Sequence, residues 1–174
     1  KNNYNYEKFD LIPIRYSDRN KIMKWRNEQI FHLRQSKVLS YKDQNLYFNK
    51  IVYKLFFEDY PKQIIFSLLE NNSLVAYGGL VHINWEKKTA ELSFLTDTKY
   101  KNFALSYYWK IFFKLIEEVA FLDLNLSKIY TYTFNVRKKI TNVFKENGYN
   151  NDNKLKQYFI NKGHTNNFNI NSKI

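Results

Sequence analysis

Cysteine is absent from the 174-residue chain, and this absence excludes two classes of site. Without thiols the chain can form neither a disulfide nor a zinc site with thiolate ligands. His32 and His164 have no ligand-type neighbours at useful spacing, so we expect no metal site. No apolar run approaches the roughly 18–20 residues that cross a bilayer, and no secretory signal is evident. These features predict a cytoplasmic protein without a membrane partner.

Acidic residues, glycine and proline are also scarce. The chain has 16 Asp and Glu against 28 Lys and Arg, which gives a net charge of +12, and only 4 Gly and 2 Pro. The lysines are scattered and form no binding tail, and the wealth of Lys, Asn, Ile, Tyr and Phe fits A/T-rich codons. We therefore expect no nucleic-acid partner. A basic surface would still attract an anionic ligand such as a nucleotide cofactor.

The composition and the order of the predicted elements indicate one α/β domain. Hydrophobic residues make up 44% and charged residues 25% of the chain, which is typical of a globular protein. Asn71 and Asn72 predict a hairpin turn, and Pro13 predicts an edge strand. Predicted strands cover residues 9–15, 63–70, 73–83, 89–96, 127–134, 155–160 and 167–170, the last two as a final hairpin. Four helices are predicted. The first follows a cap at Ser17 or Asp18, the second covers residues 39–54 with a cap at Ser40, and the other two cover residues 104–121 and 136–147.

The segment from Ser93 to Ala120 carries the strongest functional signal. A short apolar strand runs into the turn 101–106, which opens directly into a long amphipathic helix. The first turn of a helix presents unpaired N–H groups and the positive end of the helix dipole. With Lys99 and Lys101 beside it, this helix start is predicted to bind a phosphate or pyrophosphate.

Three segments of the chain resemble the GNAT N-acetyltransferase superfamily. Residues 101–106 (KNFALS) lie where that family has its acetyl-CoA signature Arg/Gln-x-x-Gly-x-Gly/Ala. Residues 133–149 (TFNVRKKITNVFKENGY) resemble its strand-Asn-helix segment. Residues 16–35 (YSDRNKIMKWRNEQIFHLRQ) resemble members that act on nucleotide-linked amino sugars, of the pseudaminic-acid pathway type, and RimJ/RimL-type protein acetyltransferases. The resemblance spans about residues 9–170 and implies a single GNAT-like domain over residues 1–174.

The resemblance implies both a sheet topology and a co-substrate. The central sheet would be mixed and mostly antiparallel, flanked by helices, with its fourth and fifth predicted strands parallel and splayed apart. Acetyl-CoA would lie in the gap, its pantetheine on main-chain groups of the fourth strand and its pyrophosphate on the helix start. The cofactor-binding residues implied are Phe94, Leu95, Thr96, Lys101, Asn102, Phe103, Ala104, Leu105, Ser106 and Asn135.

The chain departs from the family pattern at two places. Ala104 and Ser106 replace the signature glycines, and Lys101 replaces the leading Arg or Gln. Ala and Ser are the next smallest residues, so the cradle is weakened rather than abolished. Phe144 occupies the place where many members have a tyrosine that is proposed to reprotonate the leaving thiolate. Phenylalanine cannot donate a proton, so that role is empty or filled by another group.

Glu91 and His82 are the candidate catalytic residues. Glu91 lies on the fourth predicted strand, where the family often has a carboxylate, and is predicted to be the general base, directly or through a water. Burial or a neighbouring charge would have to raise its pKa toward the working pH. His82 ends the facing strand of the meander and is the second candidate, because imidazoles titrate near neutral pH. Either residue could instead be purely structural.

The candidate acceptor-binding residues are Trp25, Arg26, Asn27 and Trp85. Trp25 could equally be a core residue, and Arg26 could bind a phosphate or carboxylate of the acceptor or pair with Glu28 or Glu58. Trp85, Tyr107 and Tyr108 could line a sugar site or simply pack. The pair Gly78–Gly79 inside a strand predicts a bulge or a close approach of a ligand.

Two classes of function remain open. The first is an acetyl-CoA-dependent N-acetyltransferase acting on a small amine, with a nucleotide-linked amino sugar as the expected acceptor and a protein or peptide amine as the alternative. A phosphate-bearing acceptor would need convergent cations such as Arg26 and Arg34. The second class is a GNAT-like module that binds acyl-CoA without turnover. A small-molecule amine is the expected partner, and the chain is expected to be a monomer or homodimer.

Overall fold

The computed structural model describes residues 3–100, 103–134, 138–165 and 167–174. The strands are β1 (Tyr4–Tyr6), β2 (Phe9–Pro13), β3 (Ile64–Glu70), β4 (Ser73–Asn84), β5 (Thr89–Thr96), β6 (Lys128–Phe134), β7 (Asn150–Asn151) and β8 (Phe168–Lys173). The helices are α1 (Arg19–Glu28), α2 (Tyr41–Tyr47), α3 (Tyr53–Leu55), α4 (Phe103–Glu117), α5 (Lys138–Glu146) and α6 (Asn153–Asn161). Within these described ranges, no helix is both long and apolar enough to cross a membrane.

The described strands form one mixed sheet in the order β1-β2-β3-β4-β5-β6-β8-β7. The predicted meander β3-β4-β5 is antiparallel throughout. Asn71 and Asn72 form its first turn with φ values of 47° and 63°, a left-handed conformation that asparagine tolerates and that matches the twist of the two strands. Within this sheet β5 and β6 are parallel neighbours.

Helices cover both faces of the sheet, because the strands alternate apolar side chains between them. On one face Leu92 and Phe94 of β5 belong to the large core, which also contains α4 residues such as Phe112. On the other face Leu95 packs with Trp25 of α1 in a smaller cluster, which we name the α1 cluster. A third cluster lies around Tyr130 and Phe168, and side chains of α6 pack on it.

The strands β5 and β6 separate part-way along their length, as the family resemblance implies. They pair only from Thr89 opposite Lys128 to Leu92 opposite Thr131. Beyond Leu92, β5 stays paired with β4 and β6 stays paired with β8, but the two no longer pair with each other. A gap therefore opens in the middle of the sheet, where backbone of β5 has a neighbour on one side only.

The two glycines of β4 bring backbones close together rather than forming a bulge. The irregularities of the meander lie between Leu68 and Leu69 and in the segment from Val81 to Asn84. A Cβ on Gly78 would lie 2.3 Å from the Ser93 carbonyl oxygen, and one on Gly79 would lie 2.0 Å from that of Ile64. The sequence predicts a bulge or a close approach of a ligand; the structure has no bulge at these glycines, and the close approach it shows is to the backbones of neighbouring strands.

Replacing Gly79 with alanine should destabilise the protein strongly. The new methyl group would collide with backbone, which cannot rotate away, so we expect the free energy of unfolding to fall by about 3 kcal/mol or more. The comparator is G163A. An added Cβ there meets nothing within 4 Å, but φ is 90°, and an alanine held in this left-handed backbone conformation costs about 1–2 kcal/mol. Urea denaturation followed by circular dichroism measures both. Equal losses in the two variants would contradict this account.

The prediction of a final hairpin is wrong for its first half. Residues 155–160 belong to helix α6, and Asp152 caps this helix by accepting a hydrogen bond from the Leu155 N–H at 2.9 Å. The apolar residues Leu155, Phe159 and Ile160 recur at helical spacing, which a short strand prediction overlooks. The second half, residues 167–170, falls mainly in β8, which pairs with β6.

Three smaller predictions have mixed outcomes. Ser40 caps α2 in a capping box with Asp43, as predicted. Asp18 stands before α1 without a side-chain cap, and its carboxylate instead binds Arg15 and accepts a hydrogen bond from Ser67. Pro13 lies in β2, which is not the edge of the sheet because β1 pairs with its outer side. The pairing between β1 and β2 ends at Leu11, so β1 has no residue opposite Pro13 that would need the missing N–H.

Candidate functional site

A buried carboxylate and an exposed imidazole meet where β4 and β5 lose their regular register. Val81 pairs with Glu91, and the next two residues of β4 form an irregular stretch in which His82 has φ of 50°. His82 Nδ1 lies 3.0 Å from Glu91 Oε2. The Glu91 side chain is 3% exposed and that of His82 is 64% exposed. The sequence predicts both residues as site residues, and the fold brings them into direct contact.

Arg34 completes this group from the far side of the carboxylate. It lies just after a short 3₁₀ turn (Ile30–His32) and donates a hydrogen bond from Nη2 to Glu91 Oε1. Its guanidinium also lies 4.5 Å from the ring centre of Tyr132 on β6, a favourable cation–π distance. Both oxygens of Glu91 are therefore engaged, one by a cation and one by the imidazole.

This group lies in a cavity of about 450 Å³ at the gap between β5 and β6, which we name the splay cleft. Its lining includes His82, Glu91, Arg34, Phe94, Trp109 and Tyr132. Side chains from both faces of the sheet reach it, because the strands no longer close the sheet at this level. Burial raises the pKa of Tyr132, so its hydroxyl stays protonated at neutral pH.

A second cavity of about 250 Å³ lies between helices α1 and α2 and strands β3 and β4. We name it the helix-side cavity. It shares Arg26, Gln63, Val81 and Ser93 with the lining of the splay cleft, so the two spaces are contiguous. The fold thus provides two chambers that meet beside the His82–Glu91 pair.

Arg26 lies at the junction of the two cavities. Its Nε donates to Gln35 at 2.9 Å and its Nη1 donates to the Tyr77 hydroxyl at 2.9 Å. Among the described residues it makes no ion pair, and Glu28 instead pairs with Lys24 and accepts a hydrogen bond from Thr98. The positive charge of Arg26 is therefore held in the wall of the site without a carboxylate partner.

The other predicted acceptor residues have structural roles in this fold. Trp25 is 3% exposed and packs in the α1 cluster. Asn27 ties α1 to the following loop, donating to the Leu39 carbonyl and accepting from the Leu39 N–H, both at 2.8 Å. Trp85 donates from Nε1 to the Pro61 carbonyl at 2.9 Å. None of the three lines either cavity.

Tyr107 and Tyr108 also pack rather than line a sugar site. Both rings lie against Phe9, at centroid distances of 5.7 Å and 6.0 Å. The Tyr108 hydroxyl donates to Glu70 at 2.7 Å. This contact lies at the other end of the sheet from Glu91, so both tyrosines stabilise the core.

The predicted cofactor residues are described only in part. Helix α4 begins at Phe103, so Ala104, Leu105 and Ser106 belong to its first turn. Phe94 stacks on Phe112 at 4.1 Å. The side chain of Leu95 is buried in the α1 cluster, and the carbonyl of Thr96 accepts a hydrogen bond from Gln29 at 2.9 Å. Lys101, Asn102 and Asn135 lie outside the described residues.

The chain's own groups fit an extended acyl thioester ligand at the gap. Strand β5 has a backbone edge without a strand partner beyond Leu92, which can pair with an amide-containing arm as an added strand would. The first turn of α4 offers N–H groups to an anion. The Phe144 ring is buried, with its centroid 5.2 Å from that of Trp109 and 5.8 Å from that of Phe113. Phe144 therefore packs in the core at the position where many family members have a tyrosine.

Sequence reasoning missed Trp109, Gln63 and the structural use of Arg34. Trp109 belongs to the apolar stripe of α4 and gives no separate signal in the sequence. Gln63 precedes β3 in a segment that reads as an ordinary strand start. Arg34 was expected only as a free cation, and nothing local indicates that it contacts a glutamate 57 positions away.

Comparisons with known proteins agree with this geometry. A family model described as an acetyltransferase (GNAT) domain matches residues 11–170. No curated protein sequence matches the chain. The fold is similar to spermidine N-acetyltransferase from Vibrio cholerae in complex with CoA and spermine, with 15% identity and a TM-score of 0.72, covering 95% of this chain and 93% of that one. It is also similar to Campylobacter jejuni N-acetyltransferase PseH in complex with acetyl coenzyme A, with 14% identity and a TM-score of 0.65, covering 95% and 97%.

At such identities the solved structures establish the fold, and the family model establishes membership. It runs from within β2 to within β8 and so spans the elements that build the gap, the splay cleft and the helix-side cavity. The chain therefore belongs to the GNAT acetyltransferase family, acyltransferases that use acetyl-CoA as co-substrate.

Proposed function

We propose that this protein transfers an acetyl group from acetyl-CoA to the primary amine of a small, negatively charged molecule, with a nucleotide-linked amino sugar as the acceptor class. The observation that carries the proposal is that the splay cleft, which His82 and Glu91 line, shares wall residues with the helix-side cavity. The splay cleft would hold the acetylated end of the CoA arm, and the helix-side cavity would hold the amine. Bound acetyl-CoA supplies a thioester carbonyl, and the protein supplies position and proton transfer.

His82 is the general base in this proposal, and Glu91 positions it. Glu91 is buried, and both of its oxygens are already engaged, one by Arg34 and one by His82, so neither is free to approach an attacking amine. When Glu91 accepts a hydrogen bond from the Nδ1–H of His82, the other ring nitrogen, Nε2, carries a lone pair. That nitrogen can take a proton from the attacking amine. The sequence favours Glu91 as the base, and the contacts favour this reversed assignment.

The charges of the helix-side cavity support an anionic acceptor. Arg26 contributes an unpaired positive charge, and Tyr47, Tyr77 and Gln63 contribute neutral polar groups. The one carboxylate in its described lining is Asp43. Hydrogen bonds from Ser40 lower the pKa of Asp43 to about 2, and Lys37 lies 3.2 Å away to balance its charge. A polycationic amine would meet no uncompensated negative charge here.

The size of the cavity limits what enters it. Its volume of about 250 Å³ lies below the roughly 300–1,000 Å³ typical of sites for drug-sized ligands. A group the size of one sugar ring fits such a space. The remainder of a nucleotide-linked acceptor would lie over the open mouth, where the net charge of +12 favours phosphates.

Replacing Arg26 with glutamine should weaken acceptor binding specifically. A hydrogen bond to a charged group contributes about 1.5–3 kcal/mol, so we expect the KM for an anionic amine to rise about 10–100-fold while the KM for acetyl-CoA changes little. The matched control is K24Q on the same helix, which removes an equal charge from a side chain that is 70% exposed. Steady-state kinetics would contradict the proposal if both variants raised the acceptor KM equally.

A CoA-binding module without turnover is the second candidate, favoured by Ala104, Ser106 and Phe144 in place of the family's residues. Release of free thiol from acetyl-CoA over a panel of amines separates the two. The panel contains a nucleoside-diphosphate amino sugar, spermidine and a short peptide with a free α-amine. We expect release to be fastest with the amino sugar. Binding of acetyl-CoA without thiol release on any amine would favour the module, and a preference for the peptide would favour a protein acceptor.

A further inference from the structure

Trp109 carries a buried N–H group without a partner in the described structure. Its side chain is almost fully buried, with 3% of the residue exposed. No acceptor among the described residues lies within hydrogen-bonding distance of Nε1. Buried tryptophan N–H groups are nearly always hydrogen-bonded, because an unpaired donor loses its contact with water and gains nothing in exchange. The orphaned donor therefore points to a partner that binds at this place.

The position of Trp109 shows what kind of partner can reach it. Trp109 lines the splay cleft together with Glu91 and His82, but it comes from α4, on the opposite face of the sheet. Its ring lies 4.8 Å from that of Phe94, on the part of β5 that has lost its pairing with β6. A ligand that lies in the gap between these strands would enter the cleft that Trp109 lines.

The ring is held firmly in this orientation by other aromatic side chains. The rings of Phe113 and Phe144 each lie 5.2 Å from it, and that of Phe112 lies 6.3 Å away. None of these three rings offers a hydrogen-bond acceptor of ordinary strength. The surrounding core fixes the direction of the N–H without satisfying it, which is the arrangement of a preorganised binding group.

We propose that Trp109 donates a hydrogen bond from Nε1 to the pantetheine arm of bound CoA. This inference rests on the proposed function, because it requires that the arm lies in the gap. The arm contains amide carbonyls and ends in sulfur, and these are the acceptor atoms that such a ligand brings to a gap lined mainly by apolar rings. Trp109 is then a cofactor-binding residue in the second turn of α4, directly after the first turn that the proposal assigns to the pyrophosphate.

The test compares two ligands and two tryptophan variants by calorimetric titration. The ligands are CoA and adenosine 3′,5′-bisphosphate, which keeps the phosphates near the adenine but lacks the arm. We expect W109F to bind CoA roughly 3–10-fold more weakly than the wild type and to bind the bisphosphate normally. The matched control is W85F, whose indole N–H contacts Pro61 outside the cleft, and it should bind both ligands normally. Equal weakening of both ligands by W109F, or no weakening of CoA, would overturn the inference.

A measurement on the wild-type protein makes the test independent of how well W109F folds. The chain has 3 tryptophans, so a ¹⁵N spectrum shows three indole signals, which W25F and W85F assign by elimination. On addition of CoA the Trp109 proton should move downfield and exchange more slowly with solvent, and the bisphosphate should leave it in place. CoA binding with a stationary Trp109 signal would overturn this inference alone. Failure to bind CoA at all would overturn the proposed function with it.

Discussion

Replacing His82 with glutamine should lower kcat by about 10²–10⁴-fold, the range that a positioned general base contributes. The affinity for CoA should stay within twofold of the wild type, because 64% of the His82 side chain is exposed and the proposal assigns the binding of CoA to the backbone of β5 and the first turn of α4. Glutamine keeps much of the size of the imidazole and removes its proton-accepting nitrogen. Free imidazole added to H82A should restore part of the rate. Initial-rate kinetics of thiol release measure all of these effects.

The comparison with E91Q decides which member of the pair is the base. Since Glu91 acts through His82 in this account, E91Q and the double variant H82Q/E91Q should be hardly slower than H82Q alone. If Glu91 accepts the proton itself, H82Q will keep most of the activity and E91Q will lose nearly all of it. That pattern would contradict the assignment made here.

Replacing Ala104 with isoleucine should lower CoA affinity by about 100-fold or more. Ala104 lies in the first turn of α4, and the proposed contact brings a pyrophosphate against the backbone of that turn. A branched side chain would hold the phosphates away from the N–H groups, and overpacking of this kind costs about 1–3 kcal/mol or more. S106V should act in the same direction. Calorimetric titration with CoA measures both changes.

A control on the same helix separates this steric effect from a loss of helix stability. Lys110 is exposed on α4 and pairs with Glu146 at 2.8 Å. K110I introduces the same β-branched residue at that exposed position, where the propensity cost is below about 1 kcal/mol. It should bind CoA normally. If A104I folds and binds CoA as tightly as K110I does, the pyrophosphate does not lie on this helix start.

Much of the fold follows from local sequence signals. The turn at Asn71–Asn72, the capping box at Ser40 and the stripe of α4 each act over a few residues, and the structure contains all three. The final hairpin was mispredicted because residues 155–160 are short and apolar enough to suit either a strand or a helix. There the Asp152 cap and packing against β8 decide for a helix.

The candidate site was predictable only where its residues are close in the chain. His82 and Glu91 lie close together across one turn of the meander, so their neighbourhood is predictable. The register pairs Val81 with Glu91, however, and their contact depends on the irregular stretch that contains His82. Arg34 and Trp109 join the cleft from the loop after α1 and from α4, through contacts that depend on how the helices pack. Trp25 and Asn27 share a segment with Arg26, yet the helix turns them away from the cavities. Short motifs do not encode these orientations.

A crystal structure with acetyl-CoA bound tests the central claim most directly. The account predicts that the pantetheine arm lies between β5 and β6, along the edge of β5 that no longer pairs with β6 beyond Leu92. The acetyl group should point toward the junction of the two cavities, with Nε2 of His82 across the space that an attacking amine would fill. An arm bound outside this gap, or an acetyl group turned away from His82 and Glu91, would contradict the account.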